Sequence, residues 1–212
     1  MKIQKLLLPF FLIQSLNLLS QNDKTATVIL DKFSSGATSA PSVSMKFKMT
    51  TLDQAANTRD TVSGNIILSK DKYMLDLTDN LIWFNGETTW SYLPVEKEVT
   101  ISKPDRKDNS FQNRPSAIFS MYKKGYKCRL VEERTGTYVI DLYPEDLKSD
   151  MVRVRLIIGK EKLDLKTLEY KKKDGMVMTL TVLVYDLSIK PGADTFVFHT
   201  EKYKGVDVVD IR

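Results

Sequence analysis

Residues 64–101 read GNIILSKDKYMLDLTDNLIWFNGETTWSYLPVEKEVTI, and the alternation in this stretch decides the fold class. Ile66, Leu68, Tyr73, Leu75 and Leu77 recur at strand spacing on one parity, whereas Asn65, Ser69, Lys72, Asp76 and Thr78 lie mostly on the other. Strands of that kind bury one face only, the habit of antiparallel sheets. Asn85-Gly86 separates Leu81-Ile82-Trp83-Phe84 from Thr88-Thr89-Trp90-Ser91-Tyr92. Both residues tolerate positive φ, which predicts a tight hairpin. The apolar face that results is larger than a hairpin can hide, so another element must cover it.

Outward from this stretch the alternation continues. Val43, Met45, Phe47 and Met49 interleave with Ser44, Lys46, Lys48 and Thr50 after Pro41, predicting a strand. Residues 53–60 read as a polar turn. Beyond residue 125, strands are expected over 126–133, 137–143, 151–158, 163–170 and 176–187, with turns at Thr135-Gly136, Gly159-Lys160 and Asp174-Gly175. Phe196 and Phe198 mark a last strand, on which His199 points the opposite way, toward solvent. Ten or eleven short strands of regular spacing predict a mainly β sandwich or barrel.

Two stretches break the pattern. In residues 22–34, Ala26, Ile29, Leu30 and Phe33 follow the 3.6-residue period and Gly36 lies just beyond, predicting one amphipathic helix. Residues 105–113 are polar apart from Phe111 and read as a mobile loop. Arg114-Pro115 then opens a short helix with Ala117, Ile118, Met121 and Tyr122 on one side and Gly125 at its end. So short a helix needs another element to lie on.

Composition narrows the function classes. The 212 residues are 42% hydrophobic and 28% charged, in keeping with one soluble domain. Lys2 and Lys5 precede the apolar run 6–13, the pattern of a secretory signal over residues 1–20, with cleavage near Ser20 and a single mature domain over 21–212. Without those two lysines the formal charge falls from +5 to +3. The remaining basic residues are scattered along the strands, which argues against nucleic acid as a partner. One cysteine, Cys128, excludes an internal disulfide and multi-cysteine metal sites. With one histidine and one cysteine there is no nucleophile–base pair, so no catalytic residue, cofactor or metal is expected. Asp60, Asp76, Glu87 and Asp174 read as solvated carboxylates. Met45, Met49, Met74, Met121, Met151, Met176 and Met178 all fall in expected strands or the short helix. Thioethers suit either ordinary core filling or a surface that repacks around apolar ligands.

The order Gly64-x-Ile66-x-Leu68, Lys70-x-Lys72-Tyr73, Asn85-Gly86-x-x-x-Trp90-x-Tyr92-x-Pro94 and Val99 resembles the outer-membrane lipoprotein carrier (LolA) family of the bacterial periplasm. Arg114-Pro115-Ser116-Ala117-Ile118, Asp174-Gly175, Phe196-x-Phe198 and residues 205–210 (GVDVVD) extend the likeness over nearly the whole mature chain. The resemblance implies an incomplete, unclosed antiparallel β-barrel with two or three lid helices in its mouth and an apolar cavity for the acyl chains of lipoproteins. Met45, Phe47, Met49, Ile66, Leu68, Tyr73, Leu75, Trp90 and Tyr92, each on the apolar parity of its strand, then become the cavity lining. Ile29, Leu30, Phe33, Ala117, Ile118 and Met121 become the lid. The family's gate arginine falls on Lys70 when counted from Gly64 and on Ser69 when counted back from Tyr73. Lys70, which keeps a donor but lacks the planar fork, is the chosen gate. The implied protein is a monomeric periplasmic carrier. Its partners would be acylated lipoproteins, an inner-membrane lipoprotein-releasing ABC transporter and an outer-membrane acceptor. The residues themselves leave a carrier or sensor of another lipid or glycolipid open, and disfavour a lipid-directed enzyme.

Overall fold

The computed structural model describes residues 23–104 and 110–212, so the expected signal segment and part of the expected loop at 105–113 lie outside the described residues. Helix α1 spans Lys24–Ser39, one turn longer than its apolar period indicated. Gly36 lies inside it because Ala37, one position further, is still buried and holds the last turn down. Asp23 caps its N-terminus, accepting from the Thr25 and Ala26 amides at 2.8 and 3.2 Å.

The strands are β1 (Val43–Asp53), β2 (Thr58–Ser69), β3 (Lys72–Asp76), β4 (Leu81–Phe84), β5 (Thr89–Leu93), β6 (Glu98–Ser102), β7 (Tyr126–Glu133), β8 (Thr137–Pro144), β9 (Met151–Gly159), β10 (Leu165–Lys172), β11 (Met176–Asp186) and β12 (Asp207–Asp210). They form one twelve-stranded sheet in the order β12-β6-β5-β4-β3-β2-β1-β11-β10-β9-β8-β7. Neighbours are antiparallel except β12, which runs parallel to β6. The edges β12 and β7 do not pair with each other, so the sheet is open, as the resemblance implied.

Four expectations are corrected. The sheet has twelve strands rather than ten or eleven. Residues 196–200 are not a strand: 3-10 turns at Ala193–Phe196 and Thr200–Lys202 take their place. This segment crosses strands that are already paired, so its amides bond three residues back, as Val197 N–H does to the Asp194 carbonyl. The Asn85-Gly86 turn is a four-residue loop, with only Gly86 at positive φ (101°). Asn85 instead accepts the Glu87 and Thr88 amides on its side chain at 3.0 and 2.9 Å. Finally, among the described residues there is one α-helix where two or three lid helices were expected; the Pro115 segment forms 3-10 turns at Pro115–Phe119 and Met121–Lys123.

The sheet has two packed faces. The larger core lies on its concave side beneath α1 and the Pro115 turns. A second cluster of Trp83, Tyr92, Val99 and Phe198, with Trp90 and Tyr203 against it, sits on the other side of β4–β6. There the segment after β11 lies across the sheet as a strap, with the Phe198 and Tyr203 rings stacked at 4.7 Å.

Candidate functional site: a covered apolar face

Register turns the alternation of single strands into rows across the sheet. One row runs Cys128–Leu142–Val154–Tyr170–Met178 from β7 to β11. The next runs Ile140–Leu156–Leu168–Leu180–Met49–Val62 from β8 through β11 and β1 to β2. Met45–Ile66–Leu75–Ile82 and Val43–Leu68–Tyr73–Phe84 continue the face to β4. The result is one apolar surface reaching from the β7 edge to β4. At its centre Gly64 makes room: a Cβ there would sit 2.5 Å from the Phe47 ring tip and 3.0 Å from the Asp76 carbonyl oxygen. Phe47 therefore lies across β2, and its ring meets Phe111 edge-on at 5.8 Å.

The cover is built from Ala26, Ile29, Leu30 and Phe33 of α1 and Pro115, Ile118, Phe119 and Tyr122 of the 3-10 turns. The Phe33 and Phe119 rings meet at 5.3 Å. Four hydrogen bonds among the described residues help to hold it. The Asp23 amide donates to the Cys128 carbonyl at 3.1 Å, and the Leu130 amide donates to the Asp23 carboxylate at 3.0 Å, fastening the start of α1 to the β7 edge. The Tyr122 hydroxyl donates to Asp31 Oδ1 at 2.6 Å, joining the middle of α1 to the second 3-10 turn. The Cys128 thiol donates to the Tyr122 carbonyl at 3.7 Å.

Electrostatics follow from this burial. Burial alone would raise the Asp23 carboxyl, but the amides of Leu130, Ala26 and Thr25 hold it below its ordinary 3.8. Burial, helped by the hydrogen bond to Asp31, pushes the Tyr122 hydroxyl up to about 12. Burial, with the charges of Asp23 and Asp31, pushes Cys128 up to about 11, so this thiol is unreactive at neutral pH.

Seven of the nine residues assigned to the lining, Met45, Phe47, Met49, Ile66, Leu68, Tyr73 and Leu75, lie together in the concave core. Trp90 and Tyr92 do not join them: they belong to the cluster on the opposite face. β5 alternates cleanly, but its apolar side pairs with Leu81 and Trp83, the side of β4 that faces the strap, because β4 is apolar on both sides and only register shows which one β5 continues. Of the six lid residues, Ile29, Leu30, Phe33 and Ile118 are buried against the sheet, while Ala117 and Met121 are half-buried at its margin. Lys70 is exposed in the β2–β3 turn with φ 54°, and among the described residues its ammonium makes no hydrogen bond or ion pair. Ser69, the other position for the gate, donates its hydroxyl to the Pro41 carbonyl at 2.9 Å, just after α1. His199 is half-buried rather than solvent-facing: Nε2 is enclosed without a partner among the described residues, and Nδ1 lies 3.1 Å from Glu201.

The face between β7 and β10 escaped the assignment of lining residues although Leu142, Val154, Leu156 and Leu168 alternate just as clearly, since only register shows that they continue the same surface. Phe111 lay in a stretch read as mobile, yet it is buried.

A family model for the outer membrane lipoprotein carrier protein LolA matches residues 16–174. The chain belongs to the LolA family. The match ends at the β10–β11 turn, so the central strand β11 and the strap lie beyond it. An uncharacterized conserved protein from Thermus thermophilus is similar in structure, with a TM-score of 0.59 at 12% identity, covering 89% of this chain and 100% of its own. At that identity the likeness shows the fold alone. A putative outer membrane lipoprotein-sorting protein domain from Vibrio parahaemolyticus has a TM-score of 0.43 at 12% identity, covering 81% of this chain and 96% of its own. A LolA superfamily protein from Nitrosomonas europaea has a TM-score of 0.43 at 13% identity, covering 82% and 97%. No curated protein matches the chain. Among the described residues, no helix is long and apolar enough to cross a membrane.

Proposed function

We propose that this LolA-family protein is a periplasmic carrier that binds the acyl chains of lipoproteins on its concave face and moves them from the inner to the outer membrane. The observation that carries the reading is the continuous apolar face from β7 to β4, closed by a separate cover with few polar ties.

Energetics favour exchange over permanent storage. Burying one long acyl chain gains about 0.8 kcal/mol per methylene, on the order of 10 kcal/mol in all. The cover's own apolar side chains each contribute roughly 1.5–3 kcal/mol by burial, so uncovering Leu30, Phe33, Ile118 and Phe119 costs a similar amount. Because the ligand must displace these contacts, its net affinity is moderate and cargo can be passed on. The cargo, the inner-membrane ABC transporter that supplies it and the outer-membrane acceptor that receives it belong to this proposal, as does export by cleavage near Ser20.

Mass spectrometry of the protein purified with its cargo tests the reading. Triacylated proteins are the expected cargo; free phospholipid or glycolipid would replace it with a carrier of other lipids.

A further inference from the structure

The residues on the outer, convex side of the sheet are paired across strands as regularly as those inside. In one row Arg129, Asp141, Arg155 and Glu169 follow one another from β7 to β10 and lead on to Thr179, Thr50 and Thr61. Arg155 grips the buried Asp141 through two bonds of 2.7 and 2.8 Å, and Arg153 is paired with Glu169. Among the described residues of these strands, four acids lie on this side: Glu132 on β7 is paired with Arg134, Asp186 at the end of β11 accepts from the Ser188 amide and hydroxyl, and Asp141 and Glu169 are thus already neutralised. The cations beside them are not: Lys127 and Arg129 on β7 and Lys46 and Lys48 on β1 are exposed, and Lys171 on β10 is half-buried. Basic residues that are scattered along the sequence are therefore gathered on one face by the register.

The strap covers the outer side of β4–β6 and leaves this cationic region bare. Its cations range from β7 to β1, five strand intervals apart, or about 24 Å. Exposed apolar side chains stand among them: Tyr143 on β8, Val184 on β11 opposite Lys46, and Leu183 in the bulge beside it. Lysine charges spread so widely, with guanidinium forks already committed to Asp141 and Glu169, do not form a pocket for one acidic segment. They match a broad anionic surface with apolar material just beneath it.

We propose that the convex face of β7–β10, β11 and β1 is a docking surface for an anionic lipid bilayer. The contact is peripheral and salt-sensitive, with lysine stems and the exposed Tyr143, Leu183 and Val184 meeting the headgroup layer. It uses the side of the sheet opposite the acyl site, so it leaves the cover free and stands or falls independently of the carrier proposal.

Sedimentation of the protein with vesicles provides the test. Binding to phosphatidylcholine vesicles containing phosphatidylglycerol is expected at low ionic strength, with little binding to pure phosphatidylcholine and a steep decline as salt rises. The double variant Lys46→Glu/Lys48→Glu should lower partitioning at least about tenfold. Lys202→Glu/Lys204→Glu, the same change in net charge on the strap side, should lower it far less, and thermal melts would confirm that both variants fold. Equal binding to neutral vesicles, insensitivity to salt, or equal effects of the two double variants would overturn the proposal. Binding to polyglutamate without binding to anionic vesicles would also overturn it, pointing to an acidic protein instead.

Discussion

Replacing Tyr122 by phenylalanine should weaken the fold and strengthen ligand binding together. The ring is 4% exposed, and its hydroxyl donates to Asp31 at 2.6 Å, tying α1 to the second 3-10 turn, which itself packs on β7. A hydrogen bond to a charged group contributes about 1.5–3 kcal/mol. Asp31 is exposed and can regain water once the donor is gone, so the expected loss is at or just below the lower end, about 1–1.5 kcal/mol. The phenylalanine ring keeps the apolar contacts. Lifting α1 off the turn breaks this bond, so a ligand that lifts α1 no longer has to break it. Affinity for an acyl probe should then rise about five- to tenfold, the equivalent of the stability lost. Urea unfolding and titration with a fluorescent long-chain fatty acid measure the two quantities on the same preparation. Lower stability with unchanged affinity would refute the idea that α1 leaves the turn when ligand enters. A gain in both would refute the assignment of the bond to the closed state.

Other changes probe the same construction. Gly64→Ala drives a Cβ to 2.5 Å from the Phe47 ring, and should cost about 1–3 kcal/mol in urea unfolding, since the Asp76 carbonyl blocks retreat on the other side. Asp23→Ala removes both the helix cap and the tie to Leu130, with an expected loss of about 1–2 kcal/mol. Because the folded Asp23 carboxyl lies below 3.8, its stabilisation is complete above that pH and is lost as pH falls through the folded value. The wild type should therefore lose stability on acidification in that window by more than Asp23→Ala does, as followed by thermal melts at stepped pH. Lys70→Leu should leave acyl affinity within about twofold, because the side chain is exposed and without a polar partner among the described residues. A large change in transfer rate in that variant would restore the gate to this turn.

The parts of the fold that were legible from sequence are those in which the backbone period and burial coincide. Val43, Met45, Phe47 and Met49 alternate because β1 has one face in the core and one in water, and Ile29, Leu30 and Phe33 recur at helical spacing because α1 buries one stripe. Trp90 and Tyr92 misled because the apolar side of their strand continues the strap-facing side of β4 rather than the side beneath α1, a choice that alternation within one strand does not reveal. Phe196 and Phe198 alternate like strand residues, yet they are anchors of a strap that has no free edge to pair with. The ties of the cover could not be read at all. Asp23 and Leu130 are far apart in the chain, as are Asp31 and Tyr122, and only tertiary packing brings each pair together. The cationic outer face was hidden for the same reason: Lys46, Lys127 and Lys171 become neighbours on a surface only through strand order.

The central claim is that cargo takes the place of α1 and the 3-10 turns on the concave face. Hydrogen–deuterium exchange of the folded protein, with and without a triacylated lipopeptide, tests it most directly. Faster exchange of the amides of Lys24–Ser39 and Pro115–Phe119 is expected in the bound state, while those of β8, β9 and β10 remain protected. Bound lipopeptide with unchanged or slower exchange throughout α1 would contradict it, because the cover would then have stayed in place.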